Sequence, residues 1–128
     1  MSLRTPLGRV KGLGSAKEGV HHWWQQRVSA VALVPLSLWF IFSLLSMVGA
    51  DHNAVVEWLR LPYVAVLMIL FVFSLFYHAQ LGVQVVIEDY IHSEWQKIAS
   101  IMLVKFLAIV VGLASLLSIL YVFLGYAS

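Results

Sequence analysis

The 128-residue chain contains no cysteine. That excludes disulfides, cysteine-ligated zinc, iron–sulfur clusters held by this chain and c-type haem attachment. Any cofactor must be held by histidine or by packing. Charge is also scarce, at 11% of residues against 62% hydrophobic, and the mean hydropathy is +0.92. A soluble domain of this size cannot hide so much apolar surface. Three stretches, 28–50, 61–87 and 106–128, lack Asp, Glu, Lys and Arg altogether. A bilayer crossing takes roughly 20 apolar residues at about 1.5 Å each, and all three stretches reach that length. The expected fold is therefore an all-α membrane protein with three transmembrane helices at about 23–49, 61–88 and 95–126, behind a polar N-terminal segment, 1–22. That segment lacks the short apolar core of a secretory signal. Its basic residues leave a mitochondrial transit peptide as the alternative, and otherwise the first span serves as the insertion signal. No internal repeat is visible, which speaks against an inverted-repeat transporter within one chain.

The few charges that are present set an orientation. Arg4, Arg9, Lys11, Lys17 and Arg27 precede or open the first span, and Lys97 and Lys105 follow the second. The first loop offers only Arg60, and the C-terminal tail offers none. The positive-inside bias places the N-terminus and the second loop inside, and the first loop and C-terminus outside. Trp23, Trp24, Trp58, Tyr63, Trp95, Tyr121 and Tyr126 fall at the expected span ends, where amphipathic rings favour the interface. Trp39 lies mid-span and is expected to pack on a protein neighbour or lipid tails. Pro35 is expected to remove a backbone bond inside the first helix. A short interfacial helix is expected over 53–61, ended by Pro62. Ser93-Glu94-Trp95-Gln96 reads as a capping box opening the third span, and Ser15-Ala16-Lys17-Glu18 has the same pattern.

The most informative residue is His78, about 15 Å from the inner end of the second span. Ionisable residues that deep are functional candidates by default. Ser74, Gly82, Val85 and Asp89 share its helical face, by the 3.6-residue period. A flat macrocycle bound through His Nε2 needs a small residue one turn away, and Gly82 supplies it. Neutral imidazole is a usual axial ligand of b-type haem. Equally, a lone histidine in a span can hydrogen-bond a serine or a carbonyl of the next helix, and Gly82 can be a packing notch. Bis-histidine ligation would need a second histidine from another subunit, because only one lies deep in this chain.

A second cluster gathers at the inner interface: His21, His22, Trp23, Trp24 and Arg27 opening the first span, and Asp89, Tyr90 and His92 closing the second. Arg27 can donate a charge-assisted fork to a carboxylate such as a haem propionate, or simply anchor the span. Tyr90 can donate to a quinone carbonyl. His22 and His92 are expected to be solvated, and His52 to be an ordinary loop residue. Lys105 continues a small-residue stripe through Ala108, Gly112 and Ser115, expected to pack on a partner helix or on the first span.

The string His78-Ala-Gln-Leu-Gly82-Val-Gln-Val-Val-Ile-Glu-Asp89-Tyr90 resembles the smaller hydrophobic anchor of succinate dehydrogenase. The opening Gly19-Val20-His21-His22-Trp23-Trp24-Gln25-Gln26-Arg27-Val28-Ser29-Ala30, a G-V-H-x5-R pattern followed by small residues, is similar to the start of the same subunit. The entry and histidine motifs of the larger anchor are absent. The resemblance implies a membrane anchor subunit of succinate:ubiquinone oxidoreductase, in electron transport and the tricarboxylic acid cycle. It implies a bundle with the larger cytochrome b anchor, and docking of the iron–sulfur and flavoprotein subunits. It implies haem b shared between the two anchors, with His78 as one axial iron ligand. Arg27, His21 and Gly82 would lie around the haem, and Tyr90 and Asp89 would form the ubiquinone site. His21, rather than His22, is taken as the family position by its spacing to Arg27. A bacterial inner membrane is expected, with the mitochondrial inner membrane as the alternative and no nucleic-acid partner. The competing readings are the anchor of a quinol:fumarate reductase, or a scaffold or small transporter using His78 and Asp89 as a proton relay.

Overall fold

The uncharged stretches become three long helices in the computed structural model of the chain, which describes residues 6–7 and 17–126. Helix α1 runs Lys17–Ser46, α2 His52–Leu59, α3 Pro62–Tyr90 and α4 Glu94–Phe123. Helices α1, α3 and α4 are each long and apolar enough to cross a membrane. Helix α1 begins six residues before the expected position 23, because nothing in the polar run from Lys17 to Arg27 breaks a helix strongly. The part of the N-terminal segment carrying Arg4, Arg9, Lys11 and the Ser15 capping pattern lies outside the described residues.

Helix ends follow local chemistry. Helix α1 stops at Ser46, and Gly49 turns the chain at φ +85°, a region open to glycine without a Cβ penalty. Asp51 then caps α2, accepting from the Ala54 N–H at 2.9 Å. Pro62 does not close that short helix. It opens α3, at a first-turn position where the missing N–H has no partner to lose. Ser93 is the N-cap of α4 as expected, but its hydroxyl makes no capping bond, so the capping-box reading fails in its side-chain half. At the other end Tyr126 N–H reaches Tyr121 O at 3.2 Å and Gly125 N–H reaches Val122 O at 3.1 Å. Gly125 sits at φ +90°, which completes a Schellman motif. Pro35 lies inside an unbroken α1.

Helix α3 is the middle of the bundle. Helices α1 and α4 pack on it from either side, and the backbones of α1 and α4 do not approach each other. The buried apolar residues come mostly from α3, namely Val64, Ala65, Val72, Leu81 and Ile87, joined by Val56 of α2 and Ile119 of α4. Phe40 of α1 stacks on Phe71 of α3 with centroids 4.8 Å apart. Gly112 of α4 lets α4 close on Phe76, whose ring carbons lie 3.8 Å from where a Cβ would stand. Within the small-residue stripe of α4, Gly112 therefore packs on the second span, not on the first, while Lys105 and Ala108 line the cleft. Large side chains such as Val31, Phe42, Phe106 and Leu117 point outward. That distribution suits lipid, where packing and hydrogen bonds, not apolar burial from water, hold helices together.

Helix α2 ties the far end. It packs on both α3 and α4. Trp39 finds its neighbour there, stacked on Trp58 at 6.0 Å. Arg60 Nε donates to Val122 O at 3.3 Å.

Candidate functional site

At the opposite end no such strap occurs among the described residues, and the backbones of α1 and α4 stay apart. The cleft between them, floored by α3, has a volume of about 1250 Å³. Its polar wall carries His21, His22 and Gln25 of α1, Gln80, Gln84 and Glu88 of α3, and Lys105 of α4. The α3 residues form a ladder. Gln80 Nε2 donates to Gln84 Oε1 at 3.2 Å, and Gln84 Nε2 donates to Glu88 Oε1 at 3.1 Å. The spacing of four residues puts them one above another on the helix. The sequence reading passed over this row, although its i, i+4, i+8 spacing was there to find.

His78 sits beside the cleft, at the α1–α3 contact. Its Nδ1 lies 2.9 Å from Ser29 Oγ of α1, and Ser29 Oγ donates to its own helix at Gln26 O, also 2.9 Å. Ser29 is only 6% exposed and is the buried polar residue among the described side chains. The expected hydrogen bond to a serine of the next helix is therefore present, and it uses one ring nitrogen. Ser29 belongs to the string that opens the first span, and no role is expected of it there. The signal was the polar row His22, Gln26 and Ser29, which repeats at helical spacing along the face of α1 turned to α3.

Gly82 stands one turn along α3 from His78. A Cβ added there would meet only Gln26 Nε2, at 3.9 Å, an ordinary contact. The approach of α1 does not by itself require a glycine, so room remains at this position. Nearby, Gln26 Oε1 and His22 Nε2 are buried without a hydrogen-bond partner. His22 is thus only partly the solvated residue expected from its interfacial position: its Nε2 is covered, while its side chain is half-buried and lines the cleft. It shares the packed face of α1 with Gln26 and Ser29, whereas His21 is exposed and is paired with Gln25 Nε2 at 3.0 Å. Buried polar atoms in a low-dielectric interior are costly to leave unpaired.

The other candidate residues are spread around the same end. The Arg27 guanidinium carbon lies 5.1 Å from the centroid of the Trp23 ring, a cation–π distance. Asp89 and Tyr90 close α3 and are exposed, Tyr90 at 78%. Among the described residues, no hydrogen bond joins Arg27, Asp89 or Tyr90 to His78 or to one another. The chain thus gathers His78, Gly82, Ser29, Gln26 and His22 at one helix contact, and leaves Arg27, Asp89 and Tyr90 on its outer surface at the same end. No group of three or more His, Cys, Asp or Glu that could hold a metal ion occurs among the described residues.

The succinate dehydrogenase/fumarate reductase transmembrane subunit family matches residues 1–112. The succinate dehydrogenase hydrophobic membrane anchor subunit of Rickettsia bellii is 36% identical, covering 92% of this chain and 94% of that one. The protein of the same name from Rickettsia conorii is 37% identical over the same shares. The succinate dehydrogenase membrane anchor subunit of Reclinomonas americana is 34% identical, over 73% of this chain and 80% of its own. No solved structure matches the chain. Three spans around a central α3, with a deep histidine held at a helix contact, are thus joined to similarity along most of the length, and the chain belongs to the succinate dehydrogenase/fumarate reductase transmembrane subunit family.

Proposed function

We propose that this chain is the smaller membrane anchor of succinate:ubiquinone oxidoreductase, helping to hold haem b and quinone and docking the flavoprotein and iron–sulfur subunits. The observation that carries the cofactor reading is the use of His78. One ring nitrogen is engaged by Ser29, while the residue one turn away has no side chain and no contact that demands its absence. These residues fit a haem. His78 would supply one axial ligand through Nε2, and the larger anchor subunit would supply the other, since this chain has a single deep histidine. Haem in such a position exchanges single electrons with its neighbours, at a potential set by its axial ligands and their surroundings.

The remaining roles are those of binding and orientation. Arg27 and His21 lie at the right end of the bundle to meet the propionates, Arg27 through its charged fork. Gly82 would leave room beside α3 for the edge of the group. Tyr90, exposed at the end of α3, would donate its phenol proton to a ubiquinone carbonyl. Asp89 beside it would belong to the polar surround of that site. Both are exposed among the described residues and so open to a partner. The soluble subunits would dock at this end, which the positive-inside bias places in the cytoplasm of a bacterium, with the protein in its inner membrane.

A reduced-minus-oxidised optical spectrum of the purified complex tests the proposal. A b-type band that is lost or displaced in His78→Ala supports it. A band of full intensity in that variant removes His78 as a ligand, and the absence of any b-type band from the intact complex removes the haem reading.

A further inference from the structure

We infer that Ser29 is a positioning residue that holds His78 in the tautomer carrying its proton on Nδ1, with a bare lone pair on Nε2. The inference rests on the proposed haem-ligand role of His78 and adds to it the group that prepares the ligand.

The reasoning is a proton count. A serine hydroxyl has one proton to donate and two lone pairs to accept with. Ser29 Oγ is 2.9 Å from Gln26 O, a carbonyl that can only accept. It is also 2.9 Å from His78 Nδ1, which can do either. With the hydroxyl proton committed to the carbonyl, the bond to the ring is satisfied only when Nδ1 carries the hydrogen and donates it. A neutral imidazole has one such hydrogen, so Nε2 is then left as the acceptor. The hydroxyl is well placed to enforce this. Ser29 is 6% exposed, it bonds a carbonyl of its own helix turn, and at membrane depth there is no water to offer Nδ1 an alternative. The chain Nδ1–H to Oγ to Gln26 O also runs in one direction, so each bond polarises the next.

Two consequences follow for an iron bound at Nε2. The ring needs no tautomer exchange before ligation. In addition, a hydrogen bond donated by Nδ1–H makes the imidazole a stronger electron donor, which favours the ferric state and lowers the midpoint potential. Ser29→Ala removes the acceptor, and Ser29→Thr keeps a hydroxyl on the same Cβ.

The test measures the assembled complex by potentiometric titration and low-temperature EPR of the haem. It also measures the full-length chain without haem by ¹⁵N NMR of its labelled histidines. Ser29→Ala is expected to raise the haem midpoint potential and broaden the EPR signal as the ring orientation loosens, with Ser29→Thr close to the parent. The haem-free chain is expected to show His78 protonated on Nδ1. Unchanged potential and EPR in Ser29→Ala, while His78→Ala still loses haem, would overturn the inference and leave the ligand reading standing. Full haem content in His78→Ala overturns the ligand reading itself. Should Ser29→Ala not assemble, the ¹⁵N shifts of the parent chain decide: an Nε2-protonated His78 overturns the inference, and an Nδ1-protonated His78 supports it.

Discussion

The two ends of this bundle are built differently. At the far end the chain closes on itself: Asp51 caps α2, Trp58 of α2 stacks on Trp39, and Arg60 donates to Val122 O of α4. At the other end α1 and α4 stand apart over a cleft of about 1250 Å³, and the exposed residues include Tyr90, Asp89 and Arg27. One end holds three helices in place. The other leaves His22 Nε2 and Gln26 Oε1 without a hydrogen-bond partner among the described residues. An anchor subunit needs both, because a partner can share a cofactor only where its host has not already closed.

The sharpest way to break this contrast is His78→Ala. It should remove haem b from the assembled complex or alter its spectrum throughout, while the far end is untouched. Haem content by pyridine haemochrome assay and the optical difference spectrum measure the effect. Next in size is Tyr90→Phe. Loss of one hydrogen bond to a quinone is worth ~1–1.5 kcal/mol, which corresponds to roughly tenfold in turnover. Quinone reduction should fall by about that factor, while succinate oxidation with a soluble artificial acceptor stays at the parent rate. Equal loss in both assays would point to failed assembly instead.

Gly112→Leu probes the joint between the ends. A Cβ at Gly112 stands 3.8 Å from the Phe76 ring, so alanine fits and leucine must push α4 off α3. Gly112→Ala should assemble like the parent, and Gly112→Leu should lower the thermal midpoint of the complex in detergent. Overpacking of this kind costs about 1–3 kcal/mol. The smallest effect is expected from Asp51→Ala, which removes the α2 cap and costs about 1 kcal/mol. It should lower thermal stability slightly and leave the haem spectrum and quinone turnover unchanged. A change in the haem spectrum there would show that the two ends are coupled, which the packing gives no reason to expect.

Much of this was readable from residues alone. The three spans, the short helix between the first two, Ser93 before the third and the depth of His78 all come from charge gaps and helical spacing. The ends of elements were less legible. Pro62 marks a boundary in either reading, and only its place in the folded chain shows that it opens α3. His22 and His21 are adjacent in sequence, so no pattern of polarity separates them. The turn of α1 against α3 does, burying His22 Nε2 and leaving His21 exposed beside Gln25, although both rings line the cleft. The Lys105–Ser115 stripe announced a packing face without naming its partner, because small residues admit any helix that carries a bulky side chain at the right height.

What the sequence by itself determined is the class of molecule: a chain too apolar and too poor in charge to fold in water, with one histidine deep in a span. That follows from the cost of placing charge and unpaired backbone in hydrocarbon, which depends on composition and spacing only. The tertiary structure decided which atom of that histidine is engaged. Ser29 lies far from His78 along the chain and meets it only because α1 packs on α3. Hydrogen bonding acts at about 3 Å, so the pairing depends on how two helices are rotated against each other, and no periodicity within either helix contains that angle.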